Sequence, residues 1–385
     1  MSWERQKSAV FEMPEEPSLS LWLMLGIASL VGSVLLFVLH ANKLAGPLMS
    51  YNIWIITACP LLVWFFFLCL RGWIYNNACD RHQFETDEAE YAQQQWTAWA
   101  GRHIAILHSG VMLSDNLTPK LFLTSPPVLE QNTHLAKRLV LSDKAAHFPI
   151  LLMGLENQLA KVPPDLPFGV TLLTDSRDEP ATLQTFFAKA WQVFFSARPV
   201  PTLNIVTEKS FQSIEERIKT PLLDVELLLV QQTQGEETYS DALATLLLTS
   251  DDVATKYQFS HHSCLLRPMV LEPTQNLTEE LDTFFSTQSQ AIKTSAIVGD
   301  SMSWGSDFSA LLASAKKYEG SWKPQQCHWL EKYAGLSGPF SPWILAAVVS
   351  DIVALTKEDC LMLSGDNERR YMNTVTTGNL MNGEG

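Results

Sequence analysis

The chain has 385 residues, 46% hydrophobic and 18% charged, with a formal net charge of −14. An acidic balance without a basic stripe and interleaved aromatics argues against a nucleic-acid partner, and it repels anionic lipid headgroups. The six cysteines show no paired spacing, so no disulfide framework or zinc motif is indicated, and neither a metal nor another cofactor is expected.

Residues 1–18 form a short polar N-terminal segment. The stretches 19–39 and 53–70 contain no charged residue. A lipid core about 30 Å thick needs roughly 20 apolar residues at 1.5 Å per residue, and both stretches meet that length. Residues 40–52, with Gly46 and Pro47, make a short loop, so the pair reads as a transmembrane hairpin. Its flanks carry Arg5, Lys7, Arg71 and Arg81 against Lys43 alone in the loop, which places both termini and the soluble domain in the cytoplasm. The expected location is the inner membrane of a bacterium. Two Asn-x-Thr sequons, at Asn116 and Asn276, then carry no glycan.

A polar, acidic helical linker is expected over 71–100, then an α/β soluble domain over 101–372 with a central, mostly buried sheet. Two subdomains meeting near 199–222 would suit the prolines there. Candidate strands are 104–107, 150–153, 170–173, 203–206, 225–230, 243–248 and 296–298, several of them continuous apolar runs of the kind buried on both faces. Between them Leu183, Phe186, Phe187, Ala190, Trp191 and Phe194 follow helical spacing, an aromatic stripe assigned to core packing. Pro163, Pro164, Pro167, Pro199, Pro201 and Pro221 mark boundaries. The apolar stretch 343–355 is too short to span a bilayer and reads as a buried helix. The tail 373–385 has little apolar content and is expected to be flexible. No internal repeat has a convincing period.

The sharpest chemical motif is Gly299-Asp300-Ser301-Met302-Ser303-Trp304-Gly305 after a candidate strand. A strand end with a glycine turn can expose a serine beside backbone N–H groups that stabilise an oxyanion. The segment resembles the nucleophile block of the GDSL/SGNH hydrolases, which implies Ser301 as the nucleophile of a membrane-bound serine esterase or lipase. The family's Asp-x-x-His block has no counterpart: the sole downstream histidine is His328, and Gln325 stands three positions before it. Asp300 or Ser301 capping the next helix is the alternative, with Ser301 the one candidate catalytic residue. His261 and Cys264 put possible metal ligands together, but the adjacent His261 and His262 point to opposite faces of a strand. Asp251 and Asp252 suit a turn or cap, and Asp175 suits a helix N-terminus.

Two further resemblances concern larger stretches. Tyr239 to Leu248 resembles a strand of the thiolase-like condensing enzymes. Their nucleophilic cysteine and histidine motifs are absent, so only a fold is implied. The overall layout, with Trp96-Thr-Ala-Trp-Ala-Gly-Arg102 opening the domain, resembles the adaptor proteins of bacterial type VI secretion. That resemblance implies a membrane-anchored, non-enzymatic adaptor whose protein partner is a secreted lipase effector or a spike component. Exposed aromatics would anchor it, and Trp304, Trp322, Trp329 and Trp343 concentrate in the C-terminal third, but most tryptophans are simply core and none of these is assigned as a binding residue. A membrane-tethered sensor is the remaining expectation.

Overall fold

The computed structural model describes residues 3, 10–124, 134–141, 144–272, 276–366 and 368–378. The chain divides into two compact units, one of residues 4–95 and one of residues 1–3 with 96–385. In the smaller unit, helix Leu19–Ala41 and the apolar start of helix Ile53–Gly101 are each long and apolar enough to cross a membrane. Gly26 lets the Trp64 ring approach to where a Cβ would lie 2.9 Å from it, and the Trp64 indole donates to the Trp22 carbonyl (3.0 Å). Gly32 has no such neighbour. The second helix runs unbroken for 49 residues, so the acidic stretch after residue 70 continues it.

The larger unit carries an 11-stranded mixed sheet. Its strands are β1 (His103–Leu113), β2 (Phe168–Thr174), β3 (Leu203–Val206), β4 (Val225–Gln232), β5 (Ala242–Ser250), β6 (Ser263–Leu266), β7 (Met269–Leu271), β8 (Ala296–Gly299), β9 (Cys327–Trp329), β10 (Cys360–Gly365) and β11 (Arg370–Thr377). The order is β3-β2-β4-β5-β1-β6-β11-β10-β8-β9, with β7 against β11. This order contains a duplication. Counted from its own first strand and leaving out β7, each half runs third, second, fourth, fifth, first. The two parallel pairings and the two antiparallel ones recur at the same places. The halves meet where β1 and β6 pair antiparallel. The repeat is one of topology, so no sequence period betrays it.

Three apolar layers follow from strand alternation. On β4, Leu228 and Val230 face a central core while Leu227 and Leu229 face an outer one; Met362 and Leu361 divide likewise on β10. With both faces covered, these strands read as continuous apolar runs. The central core holds helix Ser341–Thr356, in which every residue from 341 to 350 is buried, as its composition suggested. Helix Pro180–Phe194 packs its Leu183, Phe187, Ala190 and Trp191 into one outer core.

Two expectations are corrected. Residues 150–153 fall in and just after helix His147–Leu152; a short apolar run does not distinguish strand from helix. Residues 373–377 belong to β11, a buried strand between β10 and β6, while 379–385 lie outside the described residues. Polar Asn373 and Thr374 hid it: both are fully buried, and Thr374 donates to Gln288 (2.6 Å).

One glycine is obligatory. Gly335 ends helix Glu331–Ala334 at φ 83°, ψ −171°, and a Cβ there would lie 2.4 Å from the Leu135 carbonyl oxygen. Gly335→Ala is expected to cost about 1–3 kcal/mol in urea unfolding, the range for forcing such a conformation. An unchanged midpoint would show that the turn relaxes freely.

Candidate functional site

The Gly299–Gly305 motif sits at the carboxyl end of β8, beside the carboxyl end of β10, where open α/β sheets commonly place ligands. Here the space is filled. Gly299 lies against the Trp329 ring, where a Cβ would come within 2.4 Å. The Asp300 carboxylate accepts from Gly365 N–H (2.7 Å), Ser341 Oγ (2.9 Å) and Trp304 Nε1 (3.0 Å). Burial pushes this carboxyl up to about 6, against the hydrogen bonds that favour its charged form. Its backbone oxygen accepts from Glu331 N–H (3.0 Å) and Ser337 Oγ (2.9 Å). Asp300 thus ties β8, β10 and the start of helix Ser341–Thr356 together.

Ser301 caps the short helix Met302–Ser306, accepting from Ser303 N–H (3.2 Å), and donates to Glu331 (2.8 Å). Glu331 also accepts from Met302 N–H (2.7 Å). Among the described residues no histidine hydrogen-bonds Ser301. His328, on β9 opposite Val298, packs its ring on Phe122 at 5.7 Å, and burial lowers its pKa. The sequence-selected groups have structural partners: Asp175 holds the β4–β5 loop through Thr233 and Gln234 N–H, and Asp251 pairs with Arg102 at 2.8 Å. Trp304, Trp322 and Trp343 are buried and Trp329 is partly so, the core placement usual for tryptophan, and none of them is an exposed anchor.

The space that remains open lies elsewhere. A cavity of about 700 Å³ forms at the amino end of β2, between the carboxyl end of helix Pro180–Phe194 and the segment around Pro163 and Pro164. Phe168, Trp191, Phe194, Phe195 and Leu166 line it, with Pro199 and Pro201. The Trp191 ring centroid lies 4.5 Å from that of Phe195 and 6.0 Å from that of Phe168, tilted against both. Trp191 is only 1% exposed, and its indole N–H has no hydrogen-bond partner. Arg198 lines the same cavity, with one guanidinium nitrogen donating to the Val162 carbonyl (2.7 Å) and to that of Leu159. It has no carboxylate partner among the described residues. The volume and the apolar wall with a few polar groups suit a small-molecule site. The helical stripe was therefore read correctly as core, with Leu183, Phe187, Ala190 and Trp191 buried, and its Trp191 and Phe194 also line the cavity. The clue in the sequence was two proline pairs flanking an aromatic helix end.

A second cavity of about 540 Å³ is polar, but its charges are spent on one another. Arg217 pairs with Asp224 (2.6 Å) and with Glu226, and Lys209 pairs with Glu226 (3.2 Å). Burial opposes ionisation of Glu226, yet these cations hold its carboxyl below the usual range.

No protein-family model matches the chain, and no curated protein does. Among solved structures it is similar to a type II polyketide synthase complex of ketosynthase and acyl-carrier protein bound to the hexaketide. The identity is 14% and the TM-score 0.49, over 72% of this chain and 99% of that one. It is also similar to OleA of Xanthomonas campestris bound with cerulenin, at 12% identity and TM-score 0.46, over 73% of this chain and 98% of that one. A third is PksG, an HMG-CoA synthase from Bacillus subtilis, at 10% identity and TM-score 0.38, over 71% and 80%. The solved structures it is similar to are thus a ketosynthase complex, an OleA and an HMG-CoA synthase, none of them a type VI secretion adaptor or a GDSL-type esterase, and the expectations of those two classes are corrected accordingly.

Proposed function

We propose that the α/β body binds a small apolar ligand, an acyl or aryl chain ending in an oxygen acceptor, in the cavity lined by Trp191 and Arg198. The observation that carries this is the unpartnered Trp191 N–H in an aromatic wall. A buried donor without an acceptor costs about 1–3 kcal/mol, and an incoming carbonyl or carboxylate oxygen recovers it. The guanidinium of Arg198 adds a charge at the same cavity that favours a carboxylate. Phe194, Phe195 and Leu166 supply the apolar contact. The two apolar helices hold such a module at a membrane, with the flanks bearing Arg71 and Arg81 on the cytoplasmic side.

Decanoate tests the reading, titrated calorimetrically into the full chain in amphipol. Trp191→Phe keeps an aromatic side chain, smaller than the indole, and loses the donor. It is expected to weaken binding about tenfold, the equivalent of one hydrogen bond of 1.4 kcal/mol. Equal affinity in the variant would remove the role given to the indole N–H. A reporter fused at the C-terminus tests the side of the membrane, since only a cytoplasmic reporter agrees with the charge distribution.

A further inference from the structure

The seam between the two halves carries a second site, independent of the aromatic cavity. There β1 and β6 run antiparallel, with Ala105 opposite Cys264 and His103 opposite Leu266. Alternate residues share a face, so His103 and Cys264 are diagonal neighbours on one side of the sheet. His261, just before β6, supplies a third group, its ring centroid 6.4 Å from that of His103. One ligand-capable atom from each of His103, His261 and Cys264 lies within 4.8 Å of the other two. His261 and Cys264 are buried and His103 is partly so.

The adjacent His261 and His262 diverge: His262 packs on His108, at 6.0 Å, while His261 meets His103. The third donor comes instead from a strand far away in the sequence. Each of the two imidazoles turns Nδ1 to a backbone carbonyl, His103 to Gly101 (3.3 Å) and His261 to Phe259 (3.0 Å). A carbonyl can only accept, so Nδ1 carries the hydrogen and Nε2 carries the lone pair. Metal-bound histidines are held in the same way, with the second ring nitrogen donating to a carbonyl or carboxylate.

We propose that His103, His261 and Cys264 form a binding site for a borderline-soft divalent cation, with Zn²⁺ the best fit and the fourth position left to solvent. Two imidazoles and a thiolate are zinc donors, whereas Mg²⁺ and Ca²⁺ demand oxygen. Zn–N of about 2.0 Å and Zn–S of about 2.3 Å put tetrahedral donor atoms roughly 3.5 Å apart, a contraction that side-chain rotation supplies. Binding replaces the S–H bond of the neutral thiol with S–Zn and releases one proton to solvent.

The test uses the full chain with a histidine-free purification tag, stripped with chelator and titrated with Co²⁺. Near-ultraviolet thiolate-to-cobalt charge transfer and intense visible bands at one equivalent are expected, bleached by added Zn²⁺. Cys264→Ser should lose the charge-transfer band, while Cys360→Ser, another buried thiol, should keep it. His103→Gln, at a less buried position, should weaken Co²⁺ binding by more than the ~10–100-fold typical of outer-shell changes. Absence of the band in the wild type, its persistence in Cys264→Ser, or an unchanged Co²⁺ affinity in His103→Gln would overturn the proposal.

Discussion

Asp300→Ala is expected to lower the unfolding free energy by about 3 kcal/mol or more, because each buried donor left without an acceptor costs about 1–3 kcal/mol. Three donors lose their acceptor at once: Gly365 N–H, Ser341 Oγ and Trp304 Nε1. The effect carries a pH signature. Burial raises this carboxyl from its ordinary 3.8 to about 6, so the folded state prefers the protonated form. Its contribution to stability is fully present below pH 3.8 and is lost as pH rises through about 6. The gap between wild type and variant should therefore be wider at pH 4 than at pH 7.5 in urea unfolding. A gap that does not change with pH would mean that Asp300 is not held in its neutral form by the fold.

Trp343→Ala should cost about 3–5 kcal/mol, the range for removing a large buried aromatic. Trp343 is 1% exposed and donates to the Lys209 carbonyl (2.8 Å). Its ring meets Phe211 edge to face at 5.0 Å, and Phe211 meets Tyr371 at 5.6 Å. Phe211 belongs to the first half of the duplication, Trp343 and Tyr371 to the second, so the contact tests whether one central core is shared. Trp343→Phe should recover most of the loss, leaving the Lys209 carbonyl without its donor. A single cooperative transition at a lower midpoint is expected in both variants. Separate transitions for the two halves would show that the core does not couple them.

The parts of this fold legible in the sequence are those where local composition and burial coincide. β4 and β5 are covered on both faces and read directly as apolar runs, and Leu183 to Trp191 reads as an amphipathic helix. The two N-terminal helices stand out because their apolar stretches are long enough to cross a membrane. What stayed hidden depends on long-range pairing. β11 is central yet built around Asn373 and Thr374, so composition points to a tail. The duplication keeps strand order and direction without keeping residues. His103 meets His261 and Cys264 only because β1 pairs with β6, which no local spacing encodes. The cavity is a gap between a helix end and proline-bounded turns, and its signature is the unpartnered indole of Trp191, which only the packed structure shows.

The most direct measurement of the proposed function is calorimetric titration of decanoate into the full chain, wild type against Ala197→Trp. Ala197 is exposed at the cavity wall, so a bulky ring there fills the space without touching the core. Saturable binding at one decanoate per chain in the wild type, lost in Ala197→Trp, is the expected result. No saturable heat in the wild type, or the same heat in both, would contradict ligand binding in the Trp191 cavity.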